Sequence, residues 1–263
     1  MNIALIGYGK MGKIIEELAR EQGHSVNVII DPIAEISRFG IKVDKDIHKS
    51  EKLSLGNVDV AIEFTQPDKA FDNITSLAEK KIPAVTGTTG WYDRMDDVKK
   101  VLEDSQSSLL WASNFSIGVN LFYRIAWYAA ELFDKFPQFD VGGFEAHHSK
   151  KLDSPSGTAK TLAEGTLSRI QRKKKIVWDA LAKRRPEDDE LHFPSLRMGS
   201  IPGQHSLFFD SPADTVEITH TARNREGFAL GAIKAAEWLI SAQTHNKGQR
   251  LFVIDDMLED VLK

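Results

Sequence analysis

Short apolar runs alternate with amphipathic stretches over roughly the first 115 positions. "NIALIG" predicts a strand, "MGKIIEELAREQG" a helix with Ile14, Ile15, Leu18 and Ala19 on one face, and "SVNVIID" a second strand. The rhythm repeats in "VDVAIEF", "PDKAFDNITSLAEKK" and "PAVTGTT". Strands alternating with helices in such short units predict a parallel sheet with helices on both faces. Gly23 supplies the stop after the first helix, and the next strand follows within two residues.

Past residue 115 the pattern changes. A helix is expected around 118–135, a strand at "DVGGFEAHH", a helix near 158–171, and strands at "SLRMGS", "QHSLFFDS" and "DTVEITHTA". Strands grouped in this way predict a mixed, largely antiparallel sheet with helices on one side. The Ala-rich "GFALGAIKAAEWLISA" (227–242) and "RLFVIDDMLEDVL" then return to helix and strand, and they are expected to pack back on the first domain. The fold class is therefore α/β. A Rossmann-like parallel-sheet nucleotide domain, 1–115 completed by 226–263, carries an α+β substrate domain at 116–225.

Composition narrows the chemistry. The 263 residues are enough for a sizeable core, and the absence of cysteine excludes a disulfide framework, a thiolate zinc site, an iron–sulfur cluster and a cysteine nucleophile. A formal net charge of -4 gives no support for nucleic-acid or anionic-membrane binding, so neither partner is expected. The basic runs "RKKK" (172–175) and "KRR" (183–185) precede "EDDE" and read as a solvated, self-neutralising surface. The most apolar region, 117–133, is interrupted by Asn120 and Arg124. With no basic leader before "NIALIGYG", a cytoplasmic protein is expected.

Gly7, Gly9 and Gly12 in "GYGKMG" have G-x-G-x-x-G spacing between a strand and a helix. In that setting Gly7 permits the tight turn, Gly9 lets a pyrophosphate approach the backbone, and Gly12 lets the helix sit close on the sheet. The helix N-terminus then offers free N–H groups to phosphate. Asp31, at the end of the second strand, stands where an acidic residue meets the ribose 2′-hydroxyl, or else caps a turn. A carboxylate there repels a 2′-phosphate, which leans the choice to NADH over NADPH, although Lys10 in the glycine loop offers a cation. Gly87, Thr88 and Thr89 of "TGTTGW" and Ala112 to Phe115 of "ASNFSIGVN" lie at the carboxyl ends of expected strands. The first group is placed to approach the nicotinamide ribose and the second to wall its ring.

The densest chemistry lies in "FEAHHSKKLDSPSGTAKT", residues 144–161. On a regular strand His147 and His148 point to opposite faces and so do different work. Adjacent histidines without HExxH spacing or a visible partner cluster argue against a metal, and none is expected. The Pro-Ser-Gly-Thr turn opens a helix whose N–H groups form an anion pocket, and Lys151 with either imidazole adds charge and a proton source. These residues fit a dehydrogenase acting on a small acid, with a non-catalytic NAD(H)-binding sensor and an amino-acid dehydrogenase of similar layout as rivals.

"EAHHSKKLDSPSGTA" resembles the signature E-x-H-H-x-x-K-x-D-x-P-S-G-T-A of the dihydrodipicolinate (4-hydroxy-tetrahydrodipicolinate) reductase family. "GTTG", "NFSIGVN" and the segment from "SLRMGSIPGQHSLFF" to "EITHTARNREGFALGAIKAAEWL" are also similar to it, so the resemblance spans nearly the whole chain. It implies NADH- or NADPH-dependent reduction of a small cyclic dicarboxylate in diaminopimelate and lysine biosynthesis. His147 and Lys151 would be the proton-transfer groups, and His148, Gly157 and Thr158 would contact the substrate's carboxylates. Gly7, Tyr8, Gly9, Lys10, Met11, Gly12, Asp31, Gly87, Thr88, Thr89, Ala112, Ser113, Asn114 and Phe115 would contact the nucleotide. A homotetramer assembled through the second domain's sheet is also implied. The glycine loop is one residue shorter than in many members, and Pro32 follows the acidic residue where some members carry an arginine.

Overall fold

A computed structural model of the chain describes residues 1–54, 57–245, 248 and 250–263. In chain order the strands and helices begin with β1 (Asn2–Ile6), α1 (Lys10–Glu21), β2 (Ser25–Ile30), α2 (Glu51–Ser54) and β3 (Val60–Glu63). There follow α3 (Pro67–Glu79), β4 (Ala84–Thr86), α4 (Met95–Ser105), β5 (Leu109–Trp111), α5 (Ile117–Phe133), β6 (Asp140–His147) and α6 (Gly157–Leu167). The remainder is β7 (Lys175–Val177), β8 (Glu190–His192), β9 (Ser195–Arg197), β10 (Gln204–Asp210), β11 (Thr215–Thr221), α7 (Glu226–His245), β12 (Leu251–Val253) and α8 (Ile254–Val261). These elements form two units, Met1–Ser116 with Arg225–Lys263, and Ile117–Asn224.

The first unit is a six-stranded parallel sheet in the order β12-β5-β4-β3-β1-β2. Both faces are covered, so its strands are apolar at successive positions: Ile3, Ala4, Leu5 and Ile6 of β1 are all buried. Ala4 and Ile6 join Ile74, Leu77, Val98 and Leu102 of α3 and α4 in one core cluster. Helices α1 and α7 pack on each other and against the sheet, α1 on β1 and β2, α7 on β3, β4 and β5. Pro67 occupies the first turn of α3, where a missing N–H costs nothing. Gly23, at φ +79°, lets the chain leave α1 in the left-handed region. The strand order reverses at β1, because β2 lies on one side of it and β3 on the other. That reversal opens a crevice at the strands' carboxyl ends.

The second unit holds a mixed sheet, β11-β10-β6-β8-β7, with β9 pairing β6. Its three long strands β6, β10 and β11 are antiparallel, and the short β7, β8 and β9 join in parallel. Helices α5 and α6 pack together over a core that includes Phe122, Leu162, Phe193, Leu207 and Phe209. Phe133 stacks on Phe209 with ring centroids 4.3 Å apart.

The run 172–175 departs from the solvated surface expected of it. Arg172 donates to the Phe139 carbonyl at 2.6 Å, and Lys173, buried, pairs with Asp140 at 2.6 Å. The Lys173 side chain is almost wholly covered while its ammonium finds a carboxylate, an arrangement that charge count alone does not reveal. Among the described residues no helix is long and apolar enough to cross a membrane.

Candidate functional site

The crevice at the strand reversal is a cavity of about 380 Å³ lined by Gly9, Lys10 and Met11 after β1, Phe64 to Pro67 after β3, and Gly87, Thr88 and Thr89 after β4. The glycines divide their work as their spacing predicts. A Cβ on Gly7 (φ +92°) would lie 2.1 Å from the Phe64 carbonyl oxygen, and one on Gly12 would lie 2.3 Å from the carbonyl oxygen of Gly7. Gly9 faces open space, and it caps α1 without a side-chain hydrogen bond, leaving the helix N–H groups for an acceptor. This open cradle at a helix start fits a dinucleotide pyrophosphate.

Tyr8 turns inward. Its hydroxyl donates to the buried carboxylate of Glu16 and accepts from the Arg38 N–H at 2.9 Å, and Ser37 Oγ also donates to Glu16, at 2.9 Å. The phenol therefore braces the loop from beneath, which leaves only the backbone of Tyr8 to meet a ligand. Asp31 sits outside the cavity lining. Its Oδ2 accepts from the Tyr8 N–H at 2.8 Å and its Oδ1 from Ile33 and Ala34 at 2.9 Å each. Burial opposes the charge, but these backbone donors and the nearby Lys45 hold its carboxyl below the usual range. Lys45 lies 14 positions downstream in sequence and donates to the Ala34 carbonyl at 2.6 Å. It is a cation near Asp31 that sequence proximity missed.

Ala112 and Phe115 follow β5 and are buried, with Ser113 exposed and Asn114 Oδ1 accepting from the Ser116 N–H at 2.9 Å. They do not line this cavity; Phe115 meets its wall edge-on through Phe64, ring centroids 6.1 Å apart. Phe64 to Pro67 line the cavity without belonging to the expected site; their signal in the sequence is "EFTQPD", a strand end followed by a proline that opens a helix.

In the second unit β6 ends at His147, so Glu145 and His147, two apart, share a face. The Glu145 carboxylate is fully buried and its Oε2 sits against His147 Nδ1. Its Oε1 accepts from Arg197 Nη2 at 2.7 Å and from the Ser156 N–H at 3.2 Å. Burial alone would raise this carboxyl's pKa; the contacts from His147 and Arg197 overcome that and hold it far below the carboxylate range. Arg197 also donates to the Asp153 carbonyl at 2.6 Å, tying the loop after β6 to β9. Gly203 lacks a side chain where a Cβ would lie 3.0 Å from His147 Nε2, so that ring nitrogen has space.

Beyond β6, Lys151 pairs with Asp153 at 2.8 Å. His148 Nδ1 has no hydrogen-bond partner among the described residues. Ser156 caps α6 by accepting from the Ala159 N–H at 3.1 Å, which places Gly157, exposed, and Thr158 in the first turn. Ser156 Oγ also lies 3.2 Å from Nε2 of the buried His205. Burial first, then repulsion from His147, push His205 down to about 3, so its imidazole is neutral at physiological pH.

Glu145, His147 and His205 bring ligand-type atoms within 4.8 Å of one another, a partner cluster that was not visible along the chain. Glu145 Oε2 and His147 Nδ1 lie against each other and Ser156 Oγ meets His205 Nε2, while the buried His205 Nδ1 has no hydrogen-bond partner among the described residues.

A glycine loop at the reversal of a parallel sheet, in a chain whose mixed-sheet unit holds a buried carboxylate–imidazole pair, defines a dinucleotide-dependent oxidoreductase. The chain belongs to the dihydrodipicolinate reductase family: residues 1–115 match its N-terminal model and residues 118–258 its C-terminal model. It is 38% identical over 263 residues, all of both chains, to the 4-hydroxy-tetrahydrodipicolinate reductase of Christiangramia forsetii. With that of Archaeoglobus fulgidus it shares 33% over 98% of this chain and 100% of the other. In fold it is similar to the dipicolinate-bound dihydrodipicolinate reductase from Paenisporosarcina sp. TG-14, with a TM-score of 0.73, 20% identity and coverage of 96% of this chain and 97% of that one.

Proposed function

We propose that the chain reduces 4-hydroxy-tetrahydrodipicolinate, or the dihydrodipicolinate left when it loses water, to tetrahydrodipicolinate in diaminopimelate and lysine biosynthesis. The observation that carries this reading is the Glu145–His147 pair beside the Ser156-capped start of α6. A bound NADH or NADPH supplies hydride to C4 of the six-membered dicarboxylic ring.

The remaining work falls to this chain's own side chains. Glu145 fixes the His147 ring through Nδ1 and leaves Nε2 to deliver a proton to the neighbouring carbon. Lys151 is the second proton donor. His148, Gly157 and Thr158 hold the substrate's carboxylates, supported by the N–H groups at the start of α6. Residues 7–12, Asp31, 87–89 and 112–115 hold the nucleotide, and the Asp31 carboxylate favours NADH. We further place the protein in the cytoplasm as a homotetramer assembled through the mixed sheet. The exposure of edge strand β11 supports that assembly, and sedimentation analysis tests it.

The test is oxidation of NADH and NADPH with enzymatically generated dihydrodipicolinate. Turnover is expected in the wild type, with a loss of about 10²–10⁴-fold in His147→Gln and Lys151→Ala while NADH binding persists. Unchanged rates in both variants would sink the assignment.

A further inference from the structure

The cavity wall in the nucleotide unit conceals a second carboxylate. Glu63, the last residue of β3, is completely buried. Its Oε2 accepts from the Thr86 hydroxyl, and its Oε1 from the hydroxyls of Thr65 and, at 3.0 Å, Thr88. Asn73 Nδ2 of α3 donates to the same oxygen at 3.4 Å. Every one of these donors is neutral. They donate to both oxygens, the pattern an acceptor-only carboxylate requires, and none of them carries a charge. An acidic side chain enclosed by neutral donors beside a cavity needs a reason.

Two of the partners, Thr65 and Thr88, line the cavity, and the Thr65 N–H also donates to the Thr88 hydroxyl at 2.8 Å. Glu63 thus stands one side chain behind the wall and orients the hydroxyl of the loop assigned to the nicotinamide end. A nicotinamide ring is neutral before it gives up hydride and positive afterwards. A fixed negative charge in a region of low polarisability favours the second state.

We propose that Glu63 is a positioning residue of the cofactor site that selectively stabilises the oxidised, positively charged nicotinamide, and with it the charge that develops during hydride transfer. The inference rests on the reading above that residues 87–89 hold the nicotinamide end.

Two variants separate charge from packing. Glu63→Gln keeps the size and removes the charge. Asn73→Lys leaves the carboxylate in place and brings an ammonium to it from α3, without altering a cavity-lining residue. Dissociation constants for NAD+ and NADH are measured by titration calorimetry, with circular dichroism as the check on folding. The ratio Kd(NAD+)/Kd(NADH) is expected to rise about tenfold in Glu63→Gln and several-fold in Asn73→Lys, the scale of one unit charge acting over several ångströms. Glu63→Asp, which retains the charge, is expected to keep the wild-type ratio even where both constants weaken. A ratio unchanged in whichever neutralising variant folds, or both constants shifted by one common factor, would overturn the role of Glu63 and leave the reductase reading standing. Failure of the wild type to bind either nucleotide would overturn both.

Discussion

The backbone N–H of Tyr8 donates to Oδ2 of Asp31 at 2.8 Å, joining the glycine loop to the end of β2 through a side chain. With Oδ1 accepting from Ile33 and Ala34, three of the carboxylate's roughly four acceptor sites are filled by the protein, and the vacancy lies on Oδ2. One ribose hydroxyl fits that remainder. On the proposed reading that Asp31 meets the ribose, Asp31→Asn removes the repulsion towards a 2′-phosphate and leaves Lys45 nearby, so kcat/KM with NADPH should rise about tenfold relative to that with NADH. The amide cannot accept at both ends, and a loss of roughly 1–2 kcal/mol in stability should accompany the change. Steady-state kinetics with both nucleotides and a denaturant titration check the two halves separately.

Gly9 and Gly12 should respond differently to alanine. Gly9 has open space before it, but its φ -77° and ψ -149° lie outside the regions an L side chain favours; Gly9→Ala should lose about 1 kcal/mol of stability yet bind NADH at least tenfold more weakly, because its methyl enters the space assigned to a pyrophosphate. Gly12→Ala places its methyl 2.3 Å from the Gly7 carbonyl oxygen and should lose about 1–3 kcal/mol of stability even without ligand. Thermal melts and fluorescence titrations on the same samples would expose the contrast.

Glu145→Gln tests whether the buried carboxylate directs His147. An amide can present either N–H or oxygen to Nδ1, so the ring loses its fixed orientation while the residue keeps its size. A fall in kcat of about 10- to 100-fold is expected, with partial recovery in Glu145→Asp. The Kd for NADH should stay within about twofold, since the glycine loop belongs to the other unit. A pH profile identical to the wild type would contradict the role.

Acid should weaken the fold in two stages. His205 falls from an unfolded value near 6.5 to about 3 in the folded chain, so its contribution is complete above pH 6.5 and fades as pH drops towards 3. At roughly 1.4 kcal/mol per pH unit, about 2 kcal/mol is lost between pH 6.5 and 5. Glu145, held below the carboxylate range, contributes above about pH 4.5 and is lost below it. His220, also lowered by burial, acts in the same direction as His205, so the comparison must be with His205→Gln, whose stability should fall less between pH 7 and 5. Urea unfolding at the two pH values measures the difference.

The parallel sheet and the glycine loop were legible because both depend on local spacing: three glycines after a strand, and apolar runs buried on both faces. The start of α6 was legible for the same reason, from Ser156 and the turn around it. Buried carboxylates were not. Glu16 reads as one more polar position on α1, and Glu63 as the polar end of β3, until Tyr8, Ser37, Thr86 and Thr88 are brought round them. Glu145 stood within the quoted motif, but its partners Arg197 and His205 come from strands 52 and 60 residues later in the sequence. Lys173 misled because composition counts charges and does not register where the aliphatic stem lies.

The way β12 completes the parallel sheet has a consequence for synthesis. Residues 117–224 supply every strand of the mixed sheet from one continuous stretch, whereas β5 acquires its outer neighbour only from Leu251–Val253. As the polypeptide leaves the ribosome, the unit that holds His147 has all its parts well before the first unit receives α7 and β12. The glycine loop, translated first, is among the last places to gain its full backing, and the nascent chain cannot assemble the complete nucleotide fold until translation has passed the histidine segment.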